Sequence, residues 1–214
     1  MRKIPKKTFK FTEIIKKHIK DNIKSYILVS LIMLIGIVLG VIFVNNMGET
    51  QTQEVQSYLN EFVNNLKESK NINNTELLSK SLKSNAILVF TMWFIGSTVV
   101  GIPVVVSIVG IRGFCIGYTV SSAIKTFGTA KGIIFFLTSM MLQNLIFIPS
   151  IIALAVSGIK LYKSITKDKR KENIKLEIIR HTVLSFILLI VLIISSVIET
   201  YLSTNLLLLS ISYF

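Results

Sequence analysis

Few side chains in this 214-residue chain could hold a metal or relay a proton. Its aspartates are Asp21 and Asp168, its histidines are His18 and His181, and its one cysteine is Cys115. An intramembrane aspartyl mechanism needs two carboxylates sharing a proton. Both aspartates instead stand in basic segments at a long sequence separation. A helical metalloprotease site needs two histidines one turn apart with a glutamate between them. His18 and His181 are far apart and read as interfacial residues. One cysteine makes neither an internal disulfide nor a Cys-x-x-Cys pair. No Gly-x-Ser-x-Gly elbow or phosphate-binding Gly-Lys loop is present. Ser121, Ser122 and Lys125 are close enough for a serine–lysine dyad, but Lys125 reads as a residue snorkelling outward. The expectation is a protein that is not an enzyme and needs no cofactor or metal.

Polar residues inside apolar runs are the other candidates. Gln143 and Asn144 fall near the middle of Gly132–Ile159, and Arg112 and Glu199 near opposite membrane faces. Amides at mid-depth commonly bond a neighbouring helix. The alternative is that they line a path through a channel or carrier. Gly113 and Gly117 are four apart, with Gly110 just before, a spacing that lets two helices approach backbone to backbone. That contact is either within the chain or between two copies. Gly101-Ile102-Pro103 removes a backbone donor and predicts a kink in the span that contains it.

The elements that must position these residues follow from composition. Hydrophobic residues make up 51% of the chain and charged residues 16%, against about 25% charged in a soluble domain. Mean hydropathy is +0.66. The fold class is all-α: a polytopic helical membrane protein of about five spans in a single membrane domain, 1–214. The apolar runs are Tyr26–Val44, Asn85–Ile111, Gly113–Phe127, Gly132–Ile159 and Thr182–Ser203. The first is too long for a signal-peptide core and no small-residue cleavage site follows it, so it is expected to stay as an anchor.

Net charge is +13, concentrated in residues 1–25 and 160–180 beside apolar runs. That is the positive-inside pattern, with anionic lipid attracted to the same residues. Nucleic acid is not expected, because both basic clusters sit immediately beside long apolar runs. The first segment also carries Ile14, Ile15, Ile19, Ile23 and Tyr26 at helical spacing, an amphipathic helix on the inner surface. Residues 45–84 have nearly balanced charge and are placed outside. Parity then sets the N-terminus inside, Arg112 at the inner boundary, Lys131 outside, residues 160–180 inside and the C-terminus outside. Gly113–Phe127 is short, so it and the preceding run either both cross or form a re-entrant pair; crossing is the reading adopted. The tail Asn205–Phe214 is placed in the outer interface.

The outer segment has its own pattern. Val55, Tyr58, Leu59, Phe62, Val63 and Leu66 form one helical stripe. It either packs on the protein's own spans or docks a partner or second copy. A second helix is expected to start near Thr75, with Thr75 as cap and Leu77, Leu78 and Leu82 as its apolar face.

Gly101-Ile102-Pro103, then Gly113-Phe114-Cys115-Ile116-Gly117-Tyr118-Thr119-Val120, then Gln143-Asn144-Leu145 and Ile148-Pro149, resemble the stage II sporulation protein M family. The specific part of the likeness is Phe94–Pro149, and length and span count agree over nearly the whole chain. Leu142 stands where many members carry proline, which predicts a straighter fourth span. The resemblance implies an endospore former and the mother-cell membrane that engulfs the forespore. It implies two partners there, stage II sporulation proteins D and P, which are peptidoglycan hydrolases. The implied role is to anchor and localise them without cutting the wall.

Overall fold

A computed structural model of the chain describes residue 16 and residues 18–69, 73–98, 101–167 and 171–211. Ile14, Ile15 and the residues before them, Asp168–Arg170 and the last three residues lie outside that set. Among the described residues there is no strand. The helices are α1 (Ile23–Asn45), α2 (Glu49–Ser69), α3 (Asn74–Gly96), α4 (Gly101–Phe127), α5 (Thr129–Phe136), α6 (Leu142–Lys167), α7 (Lys171–Ile198) and α8 (Thr204–Ser210). Two π-helical turns, Leu137–Met141 and Glu199–Ser203, join α5 to α6 and α7 to α8.

Four continuous segments are long and apolar enough to cross a membrane: Ile23–Asn45, Gly101–Phe127, Thr129–Thr166 and Ile174–Ser210. The chain is therefore a multi-pass helical membrane protein. Large apolar side chains such as Leu34, Ile35, Phe90 and Phe186 stay more than half exposed. In water they would form a liability, whereas lipid is their natural solvent. α3 is as long as α1, but its first half carries Glu76, Lys80 and Lys83 and is much more polar.

The second apolar run of the sequence does not end at Arg112. α3 stops at Gly96, where the Ser97 hydroxyl donates to Trp93 O (2.7 Å) and the Thr98 hydroxyl to Ile95 O (2.7 Å). These local bonds satisfy carbonyls that the helix end leaves free. α4 then begins at Gly101 and continues unbroken through Arg112 to Phe127. Pro103 sits in the first turn of α4, where its missing N–H costs no helical bond. The expected kink is a helix start. At the other end of α3, Asn73, not Thr75, is the cap, its side chain accepting from Glu76 N at 3.2 Å.

α1 and α4 form the closest pair. A Cβ on Gly113 would fall on the Met33 carbonyl, and one on Gly117 on the Ile37 carbonyl. Gly36 and Gly40 meet the α4 backbone at Gly110 and Phe114 in the same way. Contacts that advance together along both chains make the pair parallel. The face bearing Gly113 and Gly117 is thus taken up within the chain and is not free for a second copy.

α6 lies at the centre. Its Phe147, Ile151, Leu154, Ala155, Val156 and Ile159 are buried against Val29 and Met33 of α1, Leu88 and Met92 of α3, Val105 and Val109 of α4, and Leu188 and Leu192 of α7. Gly128, with φ 83°, turns α4 into α5, and Gly132 lets α5 pass within van der Waals distance of the α4 backbone at Ile124. α2 lies across this end of the bundle. Val63 and Leu66 are buried against Ala123, Phe135, Leu207 and Ile211. Lys125 fastens it, its Nζ donating to Val44 O and Thr52 Oγ1, both at 3.1 Å. The opposite end of the bundle is basic: Lys163 Nζ donates to Ser25 Oγ (3.0 Å), and Lys160 pairs with Glu177 (3.0 Å).

Candidate functional site

The most polar region of the bundle lies where α3, α6 and α7 meet. The serines of α7 at 195 and 196, and Ser81 and Asn85 one turn apart on α3, sit on facing sides of their helices. Asn85 Nδ2 donates to Ser196 Oγ (2.8 Å), Ser81 Oγ lies 3.0 Å from Ser196 Oγ, and Ser196 Oγ donates to Leu192 O (3.1 Å). Glu199 stands one turn on. Its Oε2 accepts from Gln143 Nε2 (2.7 Å) and from the Ser81 hydroxyl. Ser195 Oγ closes the network on Gln143 O at 3.3 Å. In a site shielded from water such bonds are the alternative to unsatisfied polar groups, which is why they join helices.

Both π turns occur here. Leu137–Met141 ends just before Gln143, and Glu199–Ser203 begins at the glutamate. A π turn inserts one residue into the helix and re-aims the side chains beside it, a device frequent at functional sites. Thr200 Oγ1 and Ser203 Oγ, in the second turn, are buried and have no hydrogen-bond partner among the described residues.

Arg112 faces the same region from α4. Gly113 meets Met33 and Lys125 reaches Val44, so Arg112 is level with the middle of α1. Its guanidinium lies 5.3 Å from the centre of the Phe147 ring, a cation–π contact. No acidic side chain pairs with it among the described residues. A cavity of about 300 Å³ lies between Arg112, Cys115, Gln143, Asn144, Glu199, Ser81 and Asn85. The expected position of Arg112 at the inner boundary is therefore corrected. The reason is the missing helix break: with the turn at 97–98, Arg112 falls eleven residues into α4. The site offers charge of both signs, amides and hydroxyls, a set suited to binding a polar group.

Gln143 pairs across helices, as an amide at depth commonly does, whereas Asn144 bonds its own helix at Met140 O (3.0 Å). Pro149 lies inside α6, so the carbonyl one turn before it loses its usual donor. A π turn also precedes Leu142 in the same continuous segment. Phe114 packs edge-on with Phe43 at 5.6 Å. Gly101 opens α4 with Pro103. Ser121 and Ser122 are buried and Lys125 is spent on α1 and α2, so they do not form a dyad.

Two further polar contacts tie the basic end. His181, 1% exposed, shares a hydrogen bond between Nδ1 and Ser157 Oγ (2.9 Å). His18 Nδ1 lies 3.2 Å from Tyr26 Oη. Burial pushes the His18 pKa below the usual imidazole value, and Lys160 lowers it further against the opposing pull of Glu177 and Asp21.

On α2 the stripe divides. Val63 and Leu66 are buried in the bundle, Val55 and Leu59 are half-buried, and Phe62 leans edge-on against Phe135 at 6.4 Å. Tyr58, 69% exposed, points away. The Ser81–Glu199–Gln143 contacts were not legible as a set, because they join residues more than fifty positions apart. The one available signal was a largely polar stretch, 79–85, interrupted only by Leu82, in a helix whose second half is apolar.

The family model described as Stage II sporulation protein M matches residues 29–204. No curated protein and no solved structure matches the chain.

Proposed function

The chain belongs to the stage II sporulation protein M family, and on that premise we propose that it is a non-enzymatic membrane scaffold that anchors and localises peptidoglycan hydrolases during forespore engulfment. The family and the multi-pass helical architecture suit a sporulation role. The observation that carries the scaffold reading is α2: a 21-residue helix seated on the end of the bundle by Lys125, Val63 and Leu66, with Tyr58 and its polar neighbours left uncovered. Buried anchors and an exposed aromatic make a rigid platform, and exposed tyrosines are favoured contact residues.

The orientation that suits this role has five crossings, with α3 as the fifth. The end bearing Lys24, Lys160 and Lys163 is cytoplasmic by the positive-inside rule. The end bearing α2 then faces the wall, where hydrolases act. The proposed partners are stage II sporulation proteins D and P, and the membrane is the mother-cell membrane around the forespore. The test is affinity purification of the tagged protein from sporulating cells. Wall hydrolases should accompany the parent and be depleted with Tyr58→Asp. Their absence from the parent would refute the scaffold reading.

The cavity at Glu199 favours a second reading, a channel or carrier that uses Arg112 and Gln143 along a path. Flux through liposomes holding the purified protein, reduced by Gln143→Leu, would establish it; zero flux in the parent would remove it.

A further inference from the structure

We propose that the cleft between α3 and α4 binds an anionic phospholipid, its phosphate at Arg112 and Lys83 and an acyl chain along Ile87 and Ile108. This rests on the five-crossing arrangement and does not depend on which proteins α2 docks.

The carrying observation is a change of polarity along one continuous cleft. The polar cavity described above and a second hollow of about 510 Å³ share Lys80, Ser84 and Arg112. The second hollow is walled by Ile87, Leu88, Thr91 and Ile108. Ile87 is 55% exposed, so the hollow opens on the lipid-facing flank of the bundle. One half of the cleft thus presents Arg112, hydroxyls and amides beside the Glu199 carboxylate, and the other presents an apolar groove with Lys83 in its wall. A molecule that matches both halves is an amphiphile with a negative head.

The charges favour an anion. Arg112 rests on Phe147, and neither it nor Lys83 has an acidic partner among the described residues. Lys80 is paired with Glu76 at 2.6 Å. Glu199, the carboxylate in the cavity wall, has Oε2 already occupied by Gln143 and Ser81. A cation left unpaired among apolar helices is costly. A phosphate removes that cost, because a guanidinium fork matches its oxygens. Inorganic phosphate would satisfy the charge but leave the groove unfilled. The order of residues also fits a lipid. Lys83 lies nearer the start of α3 than Ile87 and Thr91, so head and chain run from the α2 end of the bundle towards its interior. That is the direction of an outer-leaflet lipid, here seated deeper than its neighbours in the bilayer.

The test reconstitutes the full chain in vesicles of equal phosphatidylglycerol and phosphatidylcholine, re-extracts it in mild detergent and counts retained lipid by native mass spectrometry. The parent should retain phosphatidylglycerol preferentially. Lys83→Gln, at an exposed position, and Arg112→Gln should each lower retention about fivefold, the worth of one basic contact near a membrane surface. Thr91→Trp, which narrows the groove and keeps every charge, should lower it too. Equal retention of the two lipids, or unchanged retention in Lys83→Gln and Thr91→Trp variants of parental helicity, would overturn the proposal. So would displacement by inorganic phosphate with Thr91→Trp without effect, since that outcome describes a soluble-anion site.

Discussion

Replacing Gly117 with alanine adds a single methyl group to α4, and the structure determines what it meets. That Cβ would lie 2.8 Å from the Ile37 carbonyl carbon and 3.0 Å from Ile37 Cα, and closer still to the carbonyl oxygen. Ordinary contact starts at 3.4 Å, so α1 must retreat by at least ~0.6 Å at the carbon (3.4 minus 2.8) and further at the oxygen. Every atom met is backbone, so no side chain can rotate away. Overpacking of this kind costs about 1–3 kcal/mol, and the gain in helix propensity from Gly to Ala returns only roughly 0.5–1 kcal/mol. Gly110→Ala is the matched control on the same helix, because its Cβ would meet only Ile32 Cγ2, at 3.6 Å. It should be neutral or slightly stabilising. Unfolding of the purified protein by titration with sodium dodecyl sulfate, followed by circular dichroism, measures both. The propensity gain is common to both variants, so Gly117→Ala is expected to lose about 1–3 kcal/mol relative to Gly110→Ala. Equal stability of the two variants would refute the close α1–α4 contact.

Three other predictions concern two polar contacts and the apolar seat of α2. In a double-mutant cycle, Gln143→Leu and Glu199→Leu should show a coupling of about 0.6–1.7 kcal/mol, the range for hydrogen bonds between membrane helices; additive effects would mean the pair is not formed. His18 has a pKa held below its usual 6.5 by burial and Lys160. The fold therefore favours neutral imidazole, and the contribution is full above about pH 6.5 and lost as pH falls through the lowered value. An environment-sensitive dye on Lys20→Cys in a Cys115→Ser background should report release of this segment on acidification, and His18→Gln should abolish the transition. Leu66→Asp places a charge in the contact of α2 with Phe135 and Leu207; it should expose α2 to protease, whereas Tyr58→Asp should leave the protease pattern of the parent.

The all-helical, multi-pass architecture and the family were legible because both rest on local signals: apolar runs of spanning length, and Gly/Pro and Gln-Asn spacings along one stretch of chain. Helix ends were less legible. The apolar run from Asn85 to Ile111 contains a turn closed by local backbone bonds and by the Ser97 and Thr98 hydroxyls, which hydropathy does not register. Placing the break near Arg112 instead put a mid-helix arginine at the interface. Gly113 and Gly117 signalled a close contact, but not that α1 would fill it with Gly36 and Gly40. The phase of the α2 stripe was visible, yet its width was not. A helix buries an arc of about 100°, so Val63 and Leu66 reach the core while Tyr58 falls outside it. The pairing of Glu199 with Gln143 and Ser81 needed the tertiary fold, because no local pattern links α3, α6 and α7.

The central claim, that α2 is a docking platform for wall hydrolases, is tested most directly by a photo-crosslinking amino acid placed at Tyr58 in sporulating cells. A second cell line carries it at Phe186, a lipid-facing position on α7 that is 65% exposed. Adducts containing peptidoglycan hydrolases at Tyr58 and none at Phe186 are the predicted result. Adducts at neither position, or the same adducts at both, would contradict the account.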